Sequence, residues 1–228
     1  MKKLLYTLSF LVLLVSCTSQ KNTEEFIKNT EGRYLFNANE VLEIYFKDQI
    51  LHAKWRGNDD IEILKVNDSA FYMKELNEKV LFVNKPSMHI ELAPKTEHKG
   101  VIYNFKKLDK GEKTPSEYFL AKEFDKALIA FKKIQEKDSL NPAIRQRNIN
   151  SLGYDFIRKN KVDSAIEIFK INVALYPKTS NVYDSLGEAY FETKNHTEAL
   201  KSYYKVLSLK PDDKNAVSMV EKINQTIK

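Results

Sequence analysis

Cysteine is almost absent from this chain: one residue in 228, beside 6 glycines, 6 prolines and a single tryptophan. One thiol cannot close an internal disulfide, which excludes a small disulfide-stapled scaffold. Scarce Gly and Pro exclude collagen-like and low-complexity chains. The six glycines are scattered singly, so no glycine-rich loop exists to cradle a phosphate. No hydrophobic run is long enough to cross a bilayer: Leu4 to Val15, interrupted by Tyr6, Thr7 and Ser9, rises only ~18 Å as a helix against a ~30 Å hydrocarbon core. Metal chemistry lacks its ligands too. His52, His89, His98 and His196 have no His, Cys or carboxylate at metal spacing on a predicted helix, and H-E-x-x-H is missing. No metal, cofactor or catalytic site is therefore expected.

With 43% hydrophobic residues the chain can bury one or two ordinary cores. Its first residues read as an address. Lys2 and Lys3 precede the short apolar run, the pattern of an export signal over 1–16. The junction Leu14-Val15-Ser16-Cys17 resembles the lipobox of bacterial lipoproteins. That resemblance implies cleavage before Cys17 and diacylation of its thiol, leaving the mature chain without a free cysteine. It also implies attachment to a membrane through lipid, in the bacterial cell envelope. No acidic run follows Cys17 directly, which favours the outer membrane, facing the periplasm. Residues 17–24 are polar and aperiodic, and are expected to form a tether.

The period of hydrophobicity changes near residue 110, so the chain is expected to be α+β. Over 25–109, β-rich runs recur about every ten residues: Arg33–Phe36, Val41–Phe46, Ile50–Trp55, Ile61–Val66, Ala70–Met73, Val80–Val83, Met88–Leu92 and Val101–Phe105. Turn signals such as Lys47-Asp48, Gly57-Asn58-Asp59-Asp60 and Lys99-Gly100 separate them, which predicts an antiparallel meander of barrel-like form. From Gly32-Arg33-Tyr34 through Leu51 and Phe71 to the Gly100–Phe105 segment, this stretch is similar to the C-terminal accessory domain of Bacteroidetes-type β-lactamase-related serine hydrolases. The resemblance implies an accessory role beside such a hydrolase.

Over 112–228 the period is helical and repeats at 34 residues. Residues 146–179 align without a gap on 180–213: Ile149 on Tyr183, Leu152 on Leu186, Gly153 on Gly187, Phe156 on Tyr190, Ala165 on Ala199, Phe169 on Tyr203 and Pro177 on Pro211. This spacing resembles the tetratricopeptide repeat (TPR), a helical hairpin stacked into a solenoid. A partial repeat is expected at 114–142, opened by the capping box Thr114-Pro115-Ser116-Glu117, and a capping helix at 214–226. Asn172 stands where the repeat favours a small residue, so looser packing is expected there.

The TPR resemblance implies that first helices line a concave face, which nominates Arg147, Asn150, Tyr154 and Arg158 on one step and Asn181, Asp184, Glu188 and Glu192 on the next. Two basic residues facing three acids suit an extended protein or peptide partner of mixed charge. The Lys and Asn pattern by which TPR clamps grip a terminal carboxylate is missing. Ser202-Tyr203-Tyr204-Lys205 matches the S-x-x-K of serine hydrolases, but Tyr203 holds a core position, which leaves Ser202 and Lys205 as expected solvent-side neighbours. His89 and Glu91 share a strand face expected to be solvated. Residues 24–110 carry 14 basic and 15 acidic side chains, and 111–228 carry 20 and 16, interspersed along helices. No nucleic-acid partner is expected from such mixing. The alternative is a lipocalin-like cup for a small molecule or glycan, provided Trp55, Phe71 and Phe82 leave an interior open.

Overall fold

The computed structural model describes residues 20–227. The export signal over 1–16 and Cys17 lie outside the described residues. The chain forms two units: one holds the residues up to Phe36 with Val41–Asp109, the other Asn37–Glu40 with Lys110–Lys228.

The first unit opens with α1 (Glu24–Thr30), where the Thr23 hydroxyl accepts the Phe26 N–H at 3.2 Å and Glu24 and Glu25 sit at the positive helix end. The expected tether is bonded to the sheets from Gln20 onward. The Asn22 backbone N–H and its Nδ2 each reach the Gln49 carbonyl at 2.9 Å, and Gln20 Oε1 accepts the Lys65 N–H at 2.9 Å. Polar side chains here satisfy sheet and turn groups that would otherwise be left unpaired, a role that low hydropathy does not reveal.

Strands β1 (Gly32–Asn37), β2 (Glu40–Lys47), β3 (Ile50–Trp55) and β4 (Asn58–Glu62) form one sheet in sequence order. Strands β5 (Leu64–Lys65), β6 (Ala70–Met73), β7 (Glu78–Val83), β8 (His89–Leu92) and β9 (Asn104–Lys106) form a second. Pairing is antiparallel, with Phe46 opposite Leu51 and Phe82 opposite Ile90. The expected barrel is corrected to two open sheets: among the described residues a single isolated bridge, Tyr34 with Lys107, joins their outer strands. Three local expectations change as well. The turn after β3 is only Arg56-Gly57, both at positive φ as a tight hairpin demands, so Asn58 to Asp60 belong to β4. The run Ile61–Val66 breaks at Ile63, where the chain leaves one sheet for the other while both Ile61 and Ile63 stay buried. Of Val101–Phe105 only Asn104 and Phe105 are paired; Val101, Ile102 and Tyr103 are exposed in a loop.

Alternate residues of both sheets point to one core containing Tyr34, Leu42, Ile44, Leu51, Phe71, Val80 and Ile90. Each such side chain contributes roughly 1.5–3 kcal/mol by leaving water.

The second unit is helical: α2 (Pro115–Leu120), α3 (Phe124–Lys137), α4 (Gln146–Arg158), α5 (Val162–Leu175), α6 (Ser180–Glu192), α7 (His196–Leu209) and α8 (Lys214–Thr226). Thr114 and Glu117 close a reciprocal capping box with Pro115 at the first turn of α2. Pro177 and Pro211 follow the ends of α5 and α7, where a proline cannot extend a helix. Within each full hairpin a glycine admits an aromatic ring: Gly153 faces Phe169, and Gly187 faces Tyr203. Ala165 and Ala199 are fully buried at the matching close approaches. Asn172 is fully buried and its Nδ2 donates to the Gln146 carbonyl at 3.2 Å, so the expected slack is taken up by a polar bond between α5 and α4. Ala216 and Ile223 of α8 bury against the α6–α7 core and end the stack.

Candidate partner-binding face

The first helices α4 and α6 present their nominated side chains along one line, because residues spaced three and four apart share a helix face, and the capping helix α8 follows them. Two cross-links join the line. The Tyr154 hydroxyl donates to Glu188 Oε2 at 2.7 Å and lies 3.2 Å from Ser185 Oγ. Asn215 Nδ2 of α8 donates to Asp184 Oδ1 at 2.8 Å. Glu188 comes 34 residues after Tyr154, one repeat, so equivalent positions of successive hairpins touch.

The nominated residues are therefore not equally available. Arg147 and Glu192 are exposed. Asn150 lies 3.5 Å from the Asn172 amide, at the margin of a hydrogen bond. Arg158 pairs with Asp155 of its own helix, which removes much of the basic step expected beside the acids. Asp184, Glu188 and Glu192 form an acidic line at i, i+4 and i+8 of α6. Among the described residues no ammonium or guanidinium pairs with any of the three. The donors to Glu188 and Asp184 are neutral, a phenol and an amide.

These contacts set the local potential. Burial raises the Asp184 carboxyl above its usual range; the Asn215 bond opposes this, while Asp213 and Glu188 add repulsion. Burial pushes the Tyr154 phenol up to about 12, with Glu188 and Asp184 contributing, so it remains a donor through neutral pH. Lys210, paired with Asp213, lines a small cavity together with Asp184 and Asn215, and the Lys222 ammonium of α8 lies 4.8 Å from the centre of the Phe191 ring.

Sequence reasoning missed a second concavity of the helical unit. A cleft of about 520 Å³ lies over α6 between α5 and α7, floored by Val173, Leu186 and Tyr190 and edged by Lys201, Lys205 and the exposed Tyr204. Its signal was the 34-residue spacing itself, which sets one second helix beside the next. Ser202, expected on the solvent side, is buried and donates to the Glu198 carbonyl at 2.8 Å, while the Lys205 ammonium lies over the Tyr183 ring. A serine spent on a helix carbonyl is no nucleophile.

In the sheet unit, Trp55, Phe71 and Phe82 fill the interior, so the lipocalin-like cup is absent among the described residues. The Trp55 indole is covered by the Arg56 guanidinium, 4.2 Å from the ring centre. His89 is buried, not solvated: it bonds the Ser87 carbonyl at 2.7 Å and Glu91 at 2.9 Å. Asp60 gathers Tyr45, Lys47 and His52 at 2.8, 2.6 and 2.8 Å, a cross-strand network on an exposed sheet face. The described residues hold no group of three or more His, Cys, Asp or Glu able to bind a metal ion, and no helix long and apolar enough to cross a membrane.

Comparison with known proteins fits the repeat. Residues 180–213 match the family model of the tetratricopeptide repeat. Mouse RNA polymerase II-associated protein 3 is 29% identical over 119 residues, which is 52% of this chain and 17% of that protein. The chloroplastic tetratricopeptide repeat domain-containing protein PYG7 of Arabidopsis thaliana is 34% identical over 67 residues, 29% of this chain and 22% of the relative. Yeast anaphase-promoting complex subunit CDC16 is 33% identical over 109 residues, 46% and 13%. The chain thus spans about a fifth or less of the length of these relatives. Among solved structures, the first TPR of Spaghetti (RPAP3) bound to an HSP90 peptide superposes with a TM-score of 0.36 at 24% identity, covering 50% of this chain and 86% of that one. The TPR domain of Sgt2 from Aspergillus fumigatus gives 0.36 at 17% identity, covering 50% and 74%. Scores so low describe a partial likeness of shape and nothing more.

Proposed function

We propose that this protein is a non-enzymatic lipoprotein of the bacterial envelope, anchored by lipid on Cys17 in the outer membrane and facing the periplasm, that holds a protein partner on the α4–α6–α8 face. The observation that carries the reading is the acidic line Asp184, Glu188 and Glu192, in which neutral donors hold the first two and, among the described residues, no ammonium or guanidinium pairs with any of the three. Such a line favours a partner segment bearing Lys or Arg, and opposes an acidic peptide such as the SRMEEVD segment bound to the first TPR of Spaghetti (RPAP3). This narrows the mixed-charge ligand expected from sequence, because Arg158 is engaged by Asp155. The resemblance of the β segment makes a separately encoded serine hydrolase one candidate partner.

The test is affinity capture from detergent-solubilised envelopes, comparing wild type with the triple variant Asp184→Asn, Glu188→Gln, Glu192→Gln. Capture should weaken by about tenfold or more in the variant, consistent with the ~1.5–3 kcal/mol of a charged hydrogen bond, and should fall with added salt. Tyr204→Ser, on the opposite cleft, should leave it unchanged. Equal capture by wild type and triple variant, or dependence on Tyr204 alone, overturns the assigned face. Palmitate labelling and membrane fractionation of Cys17→Ser test the anchor separately: label and membrane association should both be lost.

A further inference from the structure

The sheet unit carries a cavity of about 370 Å³ outside its core, bounded by α1, the Asn67–Ser69 turn and the loop after β7. That volume lies in the range of small-molecule sites. Its floor is aromatic and rigid: Phe26 stacks on Phe71 at 5.4 Å and meets Phe82 edge-on at 5.3 Å. Its wall contains Asn22, a polar residue only 5% exposed. Both of its donor groups are committed to main-chain carbonyls and its Oδ1 is sealed from solvent, so Asn22 fixes the wall without offering an atom to the cavity.

The rim selects the ligand's charge. Glu25, Asp68 and Asn84 offer acceptors, and Asn84 an amide donor as well. The one ammonium at the cavity, Lys65, is held by the Lys21 carbonyl at 2.9 Å and Asp68 at 3.1 Å. Two carboxylates against one committed cation repel an anionic ligand. Acceptors around an aromatic floor suit a molecule with several hydroxyl donors and an apolar C–H face.

We propose that this cavity binds a neutral polyhydroxylated ring, a sugar, with hydroxyls on Asp68 and Asn84 and its C–H face on Phe26. The site is independent of the helical face and of the anchor.

The test is ligand-observed saturation-transfer NMR on the full chain from residue 18, using glucose, galactose, mannose and N-acetylglucosamine at millimolar concentration, with inorganic phosphate as the anionic comparison. At least one sugar should receive saturation and phosphate should not compete with it. Ser69→Trp, at an exposed rim position, should abolish the signal by filling the cavity. Asn84→Ala should weaken binding about tenfold, the loss of one or two hydrogen bonds. Trp55 fluorescence and circular dichroism establish that both variants fold; if Ser69→Trp does not, Asn84→Ala decides. No saturation with any of the sugars overturns the proposal. So do competition by phosphate and undiminished binding in a folded Ser69→Trp or Asn84→Ala.

Discussion

At Gly153 a single hydrogen stands where any other residue has a carbon. A Cβ there would collide with the Phe169 ring, the farthest of three ring carbons lying at 2.8 Å, and Phe169 is fully buried. At Gly187 the nearest atoms of Tyr203 and Ser202 lie at 3.0 to 3.3 Å. Alanine is the better helix former by ~1 kcal/mol, which offsets the milder crowding at Gly187 but not the collision at Gly153. Gly153→Ala should therefore destabilise by about 1–3 kcal/mol, and Gly187→Ala should change stability by less; thermal melts of the two variants check the order. Both glycines were visible as repeat positions in sequence, but their unequal clearance was not, because it depends on the rotamer of a ring sixteen residues away.

Asp60 supplies a pH test at the same scale. The Lys47 ammonium, then the Tyr45 hydroxyl, hold its carboxyl down to about 2, below the ordinary 3.8, with His52 a smaller contributor. A depressed carboxylate favours the folded state above its unfolded value and loses that contribution as pH falls through its folded one. The stability difference between wild type and Asp60→Asn should be constant above about pH 4 and shrink toward pH 2. A difference that persists unchanged below pH 2 would show that charge is not its source.

The helices owe their neighbours to bonds that no single element contains. Tyr154→Phe removes the Glu188 and Ser185 partners and keeps the ring, which packs edge-on against Phe169 at 5.4 Å. A loss of about 1 kcal/mol is expected, or ~4–8 °C in a small domain, and the same variant should loosen the acidic line that Tyr154 orients. An unchanged melting midpoint would mean that the hydroxyl is equally well served by water. In the sheet unit the comparable lesson lies at Ile63. Alternation made Ile61 to Val66 one strand, whereas the chain turns there between sheets, since both residues flanking the break must stay in one core.

Across the molecule, the sheet core and the two clusters of the helical core share no residue. The single tryptophan, Trp55, belongs to the first. Gly153→Ala should then lower the helical transition seen by circular dichroism and leave the Trp55 fluorescence midpoint in place. A parallel shift of both would show that the units unfold together.

Much of this architecture could be read from order alone. Period two, period 3.6 and a 34-residue repeat are short-range facts, because each reports which residues of one element must leave water together. Sequence therefore determined the mixed class, the helical hairpins, the capping box at Thr114 and the glycine–aromatic positions. Tertiary structure alone decided which polar groups meet. It joined Tyr154 to Glu188, turned Arg158 onto Asp155, seated Asn22 on Gln49 and brought residues from 22 to 88 around one cavity. Burial leaves a periodic mark on a sequence because it acts on every residue of a face. A hydrogen bond or a cavity wall depends on a few atoms distant in the chain, and those leave no period to find.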